Sequence, residues 1–179
     1  MFAAAIGYSF DLKTLSIISK QDYQKTAAHI VVALKENILY PLSESYKKTT
    51  LMSENAILAH SLELSEAMVF NFAHDRIQQA AYDLIPQDQK KMLHLSIGRL
   101  LMKGKNKFDH TDDLRAFLHH FNYALPLITN KKEKHLIAKY NLIVGQKSKR
   151  ATAYQIALNY LQAGAVLLAN DKAKVEYLT

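Results

Sequence analysis

Met68-Val69-Phe70-Asn71-Phe72-Ala73-His74-Asp75-Arg76-Ile77-Gln78-Gln79-Ala80-Ala81-Tyr82 changes period in its middle. Up to Phe72 the residues alternate as in a half-buried strand. Beyond Ala73 the apolar positions are Ile77, Ala80, Ala81 and Leu84, the 3.6-residue repeat of a helix over 74–84 that turns this face inward. Asp75 stands at the start of that helix, where the positive end of the macrodipole favours an acid. A strand passing directly into a helix occurs in many folds, so the flanking segments decide which one this is.

Upstream, Ala3 to Tyr8 reads as a short buried helix. Asp11 is suited to cap a second helix, with Leu12, Leu15 and Ile18 on one face, and Asp22 a third, with Ala27, Ile30, Val31 and Leu34 at helical spacing and Asn37 as its stop. Ile38-Leu39-Tyr40-Pro41-Leu42 looks extended, and Pro41 suits an edge strand. Residues 43–67 are polar and irregular. Three helices followed by two strands with a long insertion between them is the layout of a winged helix-turn-helix with a two-stranded wing, expected over residues 1–85.

Downstream the chain reads as helical. Pro86 opens a segment with Leu93, Ile97, Leu100 and Leu101 in a stripe, and Leu114, Phe117, Leu118, Phe121 and Leu125 form another that ends near Pro126. Two longer helices are expected near 131–149 and 152–169, with a short tail from Asp171. Gly145, Ala157, Leu161 and Gly164 have the separations of small and large positions in a tetratricopeptide repeat, although no second full copy follows at a 34-residue period. One such pair does not bury its own face, so it needs the preceding helices or further chain. The expected class is therefore mainly α: a winged helix followed, over residues 86–179, by an α-helical, tetratricopeptide-like array.

Composition narrows the chemistry. Among 179 residues, 49% are apolar, Gly (5) and Pro (3) are scarce, and Cys is absent, which excludes disulfides, thiolate metal sites and a cysteine nucleophile. No run of apolar residues is long enough to span a bilayer, and the apolar start Met1–Gly7 lacks a basic n-region, so no membrane association and a cytoplasmic setting are expected. No G-x-x-x-x-G-K-[ST] stretch is present, so no cofactor and no enzymatic activity are expected. The net charge of +7 is unevenly spread: residues 1–66 carry six Lys, no Arg and seven Asp/Glu, whereas residues 67–179 carry 17 Lys+Arg against nine Asp/Glu. A DNA-binding winged-helix regulator is the alternative reading. Its reading helix, 22–36, would offer only Lys25, His29 and Lys35, too few cations for phosphate contact, which disfavours nucleic acid as a partner.

Few residues invite a site. His74, Asp75 and Arg76 are adjacent, so their side chains diverge by about 100° on a helix and form no converged triad. They fit a helix start, with Arg76 near an acid; Gln78, Gln79 and Tyr82 lie on the same helix, Tyr82 with a buried ring and a hydrogen-bonded hydroxyl. His119 and His120 face different directions, and Asp113 is two turns from His120, so no metal site is expected. Lys103, Lys105 and Lys107 read as a solvated loop, and Lys147, Lys149 and Arg150 as a solvated helix end.

Phe72-Ala73-His74-Asp75-Arg76-Ile77-Gln78-Gln79-Ala80-Ala81-Tyr82 resembles an F-x-H-D-R-[VI]-Q-Q-A-A-Y segment of very large bacterial signalling proteins. These carry a STAND-class, AAA-like ATPase, often joined to serine/threonine kinase, GAF and histidine kinase domains. Leu93–Leu101 is similar to the H-x-x-I-G-R-L-L stretch that follows in them, and Ala4–Gly7 with Phe10–Leu15 to a segment just after the ATPase core. Tyr140–Leu142, Gly145–Lys149, Thr152–Tyr154, Ala157, Leu158, Tyr160 and Leu161 look like the family's tetratricopeptide-like start. His119 departs from the pattern, standing where the family often has Asn. The resemblance implies a non-catalytic regulatory arm that follows the ATPase core, a fragment of a truncated or split gene, with the missing ATPase domain or another protein as partner. It makes His74, Asp75, Arg76, Gln78 and Gln79 the candidate interdomain contact.

Overall fold

A computed structural model describes residues 1–42, 68–103 and 111–169. Its elements are α1 (Phe2–Ile6), β1 (Ser9–Asp11), α2 (Leu12–Ser19), α3 (Tyr23–Lys35), β2 (Leu39–Pro41), β3 (Val69–Phe72), α4 (Asp75–Asp83), α5 (Gln87–Lys103), α6 (Thr111–Tyr123), a 3-10 turn (Leu125–Leu127), α7 (Lys131–Arg150) and α8 (Tyr154–Leu167). The chain is mainly helical with a small antiparallel sheet, and it divides into two compact units, Met1–Leu93 and His94–Thr179.

In the first unit the sheet has three strands in the order β1-β3-β2, one more than the two expected. The additional strand is β1. Three residues are too few to show a period, and Phe10 is its only buried side chain. Ser9 and Tyr40 both pair with Asn71, while Phe10 and Pro41 pair with Phe70. Phe10 packs on Phe70 and Phe72 with ring centroids 6.1 and 5.8 Å apart, and Leu12, Leu15, Ala27, Ile30 and Leu39 complete the core. Pro41 lies on an edge strand, where a missing N–H is tolerated. The expected wing insertion, 43–67, lies outside the described residues.

Local signals set the helix ends. Asp11 caps α2 by accepting from Thr14 N and Thr14 Oγ1, each at 2.7 Å. Asp22 occupies the N-cap of α3 but makes no side-chain cap bond, so its expected capping role is backbone only. Asn37, at φ 54°, lies in the left-handed region just beyond α3. Leu84, expected on the inner face of α4, is 71% exposed, and Ile85 is buried in its place. The helix stops at Asp83, so the 3.6-residue register no longer applies at Leu84. Ala80 is exposed as well. The Tyr82 ring is half-buried and lies under the Lys90 ammonium, 4.4 Å from the ring centroid.

Among its described residues the second unit holds helices and the turns that join them, with no strand. The stripe Leu114, Phe117, Leu118 and Phe121 is buried as its spacing requires, against Leu95, Ile137, Ala138 and Val144. Asn130 caps α7, accepting from Glu133 N at 3.1 Å, and Glu133 takes a two-pronged ion pair from Arg99 at 2.9 and 2.8 Å. Helices α7 and α8 lie side by side, joined by 151–153. Gly145 permits their approach: a Cβ there would sit 2.8 Å from Leu161 Cγ. The expected Lys-rich connection, 104–110, and the tail from Asp171 lie outside the described residues. No helix among the described residues is long and apolar enough to cross a membrane.

Candidate functional site

The strand-to-helix turn after β3 places the sequence-derived candidates at the surface. His74 is the N-cap of α4, and its Nδ1 accepts from Arg76 N at 3.2 Å. An accepting Nδ1 puts the proton of the neutral ring on Nε2, leaving that atom as a donor. His74, Asp75 and Arg76 are all exposed, and Arg76 makes no ion pair with any described residue. The two glutamines diverge from them. Gln78 is half-buried and donates from Nε2 to Ala4 O at 3.1 Å, tying α4 to α1. Gln79 is exposed and donates to Asp83 Oδ1 at 2.9 Å within its own helix. The turn therefore offers three groups to a partner, and Gln78 fixes the helix that carries them.

The sheet extends this surface. Tyr8 and Tyr40 are exposed, their hydroxyls 3.4 Å apart, and Asn71 Nδ2 donates to the Tyr40 hydroxyl at 3.2 Å. The hydrogen bond to Tyr40 is the main cause that raises the Tyr8 pKa above the ordinary phenol value, and the Asp75 carboxylate adds to it. Tyr40 moves the opposite way because it accepts from Tyr8 and Asn71. Two tyrosines and the turn thus form one exposed polar and aromatic patch, part of which sequence reading missed, because register rather than spacing brings Tyr40 to Asn71.

The second unit holds two further arrangements. His120 was visible in the sequence; its partner was not. The Nδ1 atoms of His120 and His94 are 3.0 Å apart, both rings are buried, and the Tyr123 ring stacks on His94 at 4.4 Å. One nitrogen of that contact donates and the other accepts. Burial, together with the neighbouring His94 and His119, lowers the His120 pKa to about 3. Among the described residues no group of three His, Cys, Asp or Glu side chains is placed to hold a metal ion.

The second arrangement is a groove between α6 and α8 of about 640 Å³, with Arg115, His119, Asn122 and Tyr123 on one wall and Ile156, Asn159, Tyr160 and Ala163 on the other. Beneath it, Asn141 on α7 is completely buried. Asn122 Nδ2 donates to Asn141 Oδ1 at 2.8 Å, Asn141 Nδ2 returns a bond to Asn122 Oδ1 at 3.0 Å, and Asn141 Nδ2 also reaches Ile137 O at 3.0 Å.

No protein-family model matches the chain. No solved structure matches it either. Two curated signalling proteins are similar. A hybrid signal transduction histidine kinase G from Dictyostelium discoideum is 30% identical over 122 residues, an alignment covering 60% of this chain and 4% of that protein. Adenylate cyclase type 10 from Rattus norvegicus is 30% identical over 121 residues, covering 62% of this chain and 7% of that protein. The chain thus spans less than a tenth of the length of either relative, and its likeness is to a segment of two signalling proteins.

Proposed function

We propose that this chain is a non-catalytic regulatory and interaction arm of a signal-transduction ATPase, and that the turn at His74–Arg76 is where it meets the nucleotide-binding domain. The observation that carries the reading is the exposure of three unlike polar groups on a helix start that is itself held in place. His74 Nδ1 is committed to the cap and Gln78 to Ala4, so Nε2 of His74 is held in one direction, and the exposed Asp75 and Arg76 side chains project from an anchored helix start. Three unlike polar groups on an anchored helix start suit a contact whose geometry changes with the state of a neighbouring domain. The similarity to signalling proteins is consistent with this role.

The finer fold reading belongs to the same proposal. We read residues 1–85 as a winged helix, on the order of α1 to β3 and the central place of β3. Residues 86–179 are read as a tetratricopeptide-like array, on the close pairing of α7 and α8 at Gly145. Both are scaffolds that present surfaces.

The experiment is the variant Asp75→Ala in the protein that carries this chain together with a nucleotide-binding domain. ATP-dependent activation should change by about 5-fold or more, the lower range of coupling between sites. Unchanged activation would remove the turn from the coupling.

A further inference from the structure

The core of the first unit is open on one side. A cavity of about 370 Å³ lies there, walled by Phe2 of α1, Leu15 of α2, Ile30 of α3, Leu39 of β2, Phe72 of β3 and Ala81 of α4. Six elements converge on it, so it is a hollow in a packed unit rather than one bare face. Its size is at the lower end of small-molecule sites, which run from about 300 to 1,000 Å³. A single turn of α-helix, about 10 Å across and about 5.4 Å long, fills about 420 Å³, more than the cavity holds. The space therefore suits a small molecule and not a docked helix. At its rim Phe2 and Ile38 remain exposed, and an apolar ligand that covers them gains burial the chain leaves unmade.

The polar side chains of the wall select the ligand further. They are Ser19, Gln21, Thr26 and His29, all from the end of α2 and the first two turns of α3. Thr26 is buried, and its hydroxyl donates to Asp22 O at 2.9 Å. The Ser19 hydroxyl donates to Ser16 O at 3.2 Å. With both protons committed, these two oxygens are left to act as acceptors. Gln21 and His29 are exposed and carry N–H donors. A hydroxyl answers both kinds of group, since it donates once and accepts. An ether lacks the proton that Thr26 and Ser19 can accept. A carboxylate lacks it too, and among apolar walls it loses its water at a high cost.

We propose that this cavity binds an uncharged, largely apolar alcohol or phenol of roughly ten heavy atoms, its hydroxyl donating to Thr26 or Ser19 and accepting from His29 or Gln21. The apolar body of the ligand lies against Ile30, Ala33 and Ile38. The cavity lies wholly within the first unit and includes no residue of the His74–Arg76 turn, so it does not depend on the docking role of that turn.

The test uses the purified 179-residue chain, with N-phenylnaphthylamine, an uncharged apolar fluorophore, as reporter and n-octanol as competitor at neutral pH. Saturable reporter binding that n-octanol displaces is expected. The isomeric heptyl methyl ether should compete several-fold more weakly, and octanoate about 10-fold more weakly or worse, since neither brings a proton and the second carries a charge. Location is read from isotope-labelled isoleucine methyl groups. Those of Ile30 and Ile38 should shift on titration with n-octanol, while those of Ile137 and Ile143 in the second unit stay in place. Ala33→Phe puts a ring into the cavity and should abolish displacement with helix content retained; if that variant does not fold, the methyl shifts decide. Thr26→Val should narrow the difference between n-octanol and the ether. Absence of saturable binding overturns the proposal. So do shifts confined to the second unit, which would place the ligand elsewhere. Octanoate or the ether competing as well as n-octanol would show that a hydroxyl is not what the cavity selects, and overturns it as well.

Discussion

His94 and His120 face each other inside a helical core, and the chemistry of that contact fixes a pH dependence. At 3.0 Å between Nδ1 atoms there is room for one proton, and burial discourages a charge on His120. The other rings that face the pair, those of His119 and Tyr123, supply no anion to offset one. The unfolded chain takes up a proton at His120 near the ordinary value of 6.5, whereas the folded chain resists it until about 3. This contribution to stability is therefore complete above about pH 6.5 and is lost as pH falls toward 3. The loss is about 2 kcal/mol between pH 6.5 and 5, at about 1.4 kcal/mol per unit. Urea unfolding at pH 7, 6 and 5 should show that slope, and His120→Gln should flatten it; equal slopes for the two proteins would contradict the assignment. The His119-His120 doublet was legible in the sequence. Its partner was not, because His94 lies 26 residues away and only the packing of α5 on α6 joins them. The same holds for Asn122 and Asn141, 19 residues apart on successive helices.

Elements were legible where a period ran long enough. The stripe Leu114, Phe117, Leu118 and Phe121 identified α6 and its buried face, and Asp11 marked a helix start with a bond that the structure contains. Strand β1 escaped because three residues carry no period, and Leu84 was misplaced because the helix ended one residue before it. How closely two helices approach was not legible at Gly98. A Cβ there would meet Phe121 Cδ2 and Cε2 at 2.7 Å, and Phe121 is fully buried with Phe117 at 4.8 Å between ring centroids. A methyl at Gly98 gains about 1 kcal/mol of helix propensity but overpacks a ring that has no free space, at about 1–3 kcal/mol. The overpacking should win, so Gly98→Ala should lower the thermal midpoint, and Phe121→Leu in the Gly98→Ala background should cost less than it does alone. A midpoint that rises with Gly98→Ala would show that the ring yields freely.

Across the whole molecule, charge and capacity separate. The first 66 residues hold no arginine and a small net negative charge, while the positive charge gathers in the rest. A polar and aromatic patch lies on the first unit and a polar groove on the second. Surfaces of this kind fit a chain that works by contact, and the segment-length likeness to two signalling proteins agrees with such a role. Membership of the proposed arm in an ATPase is tested most directly by reading the coding sequence immediately upstream of the Met1 codon. The expected result is, within about one to two domain lengths, a G-x-x-x-x-G-K-[ST] loop followed by a hydrophobic strand ending in acidic residues. An upstream region with no nucleotide-binding signature in any frame would contradict it.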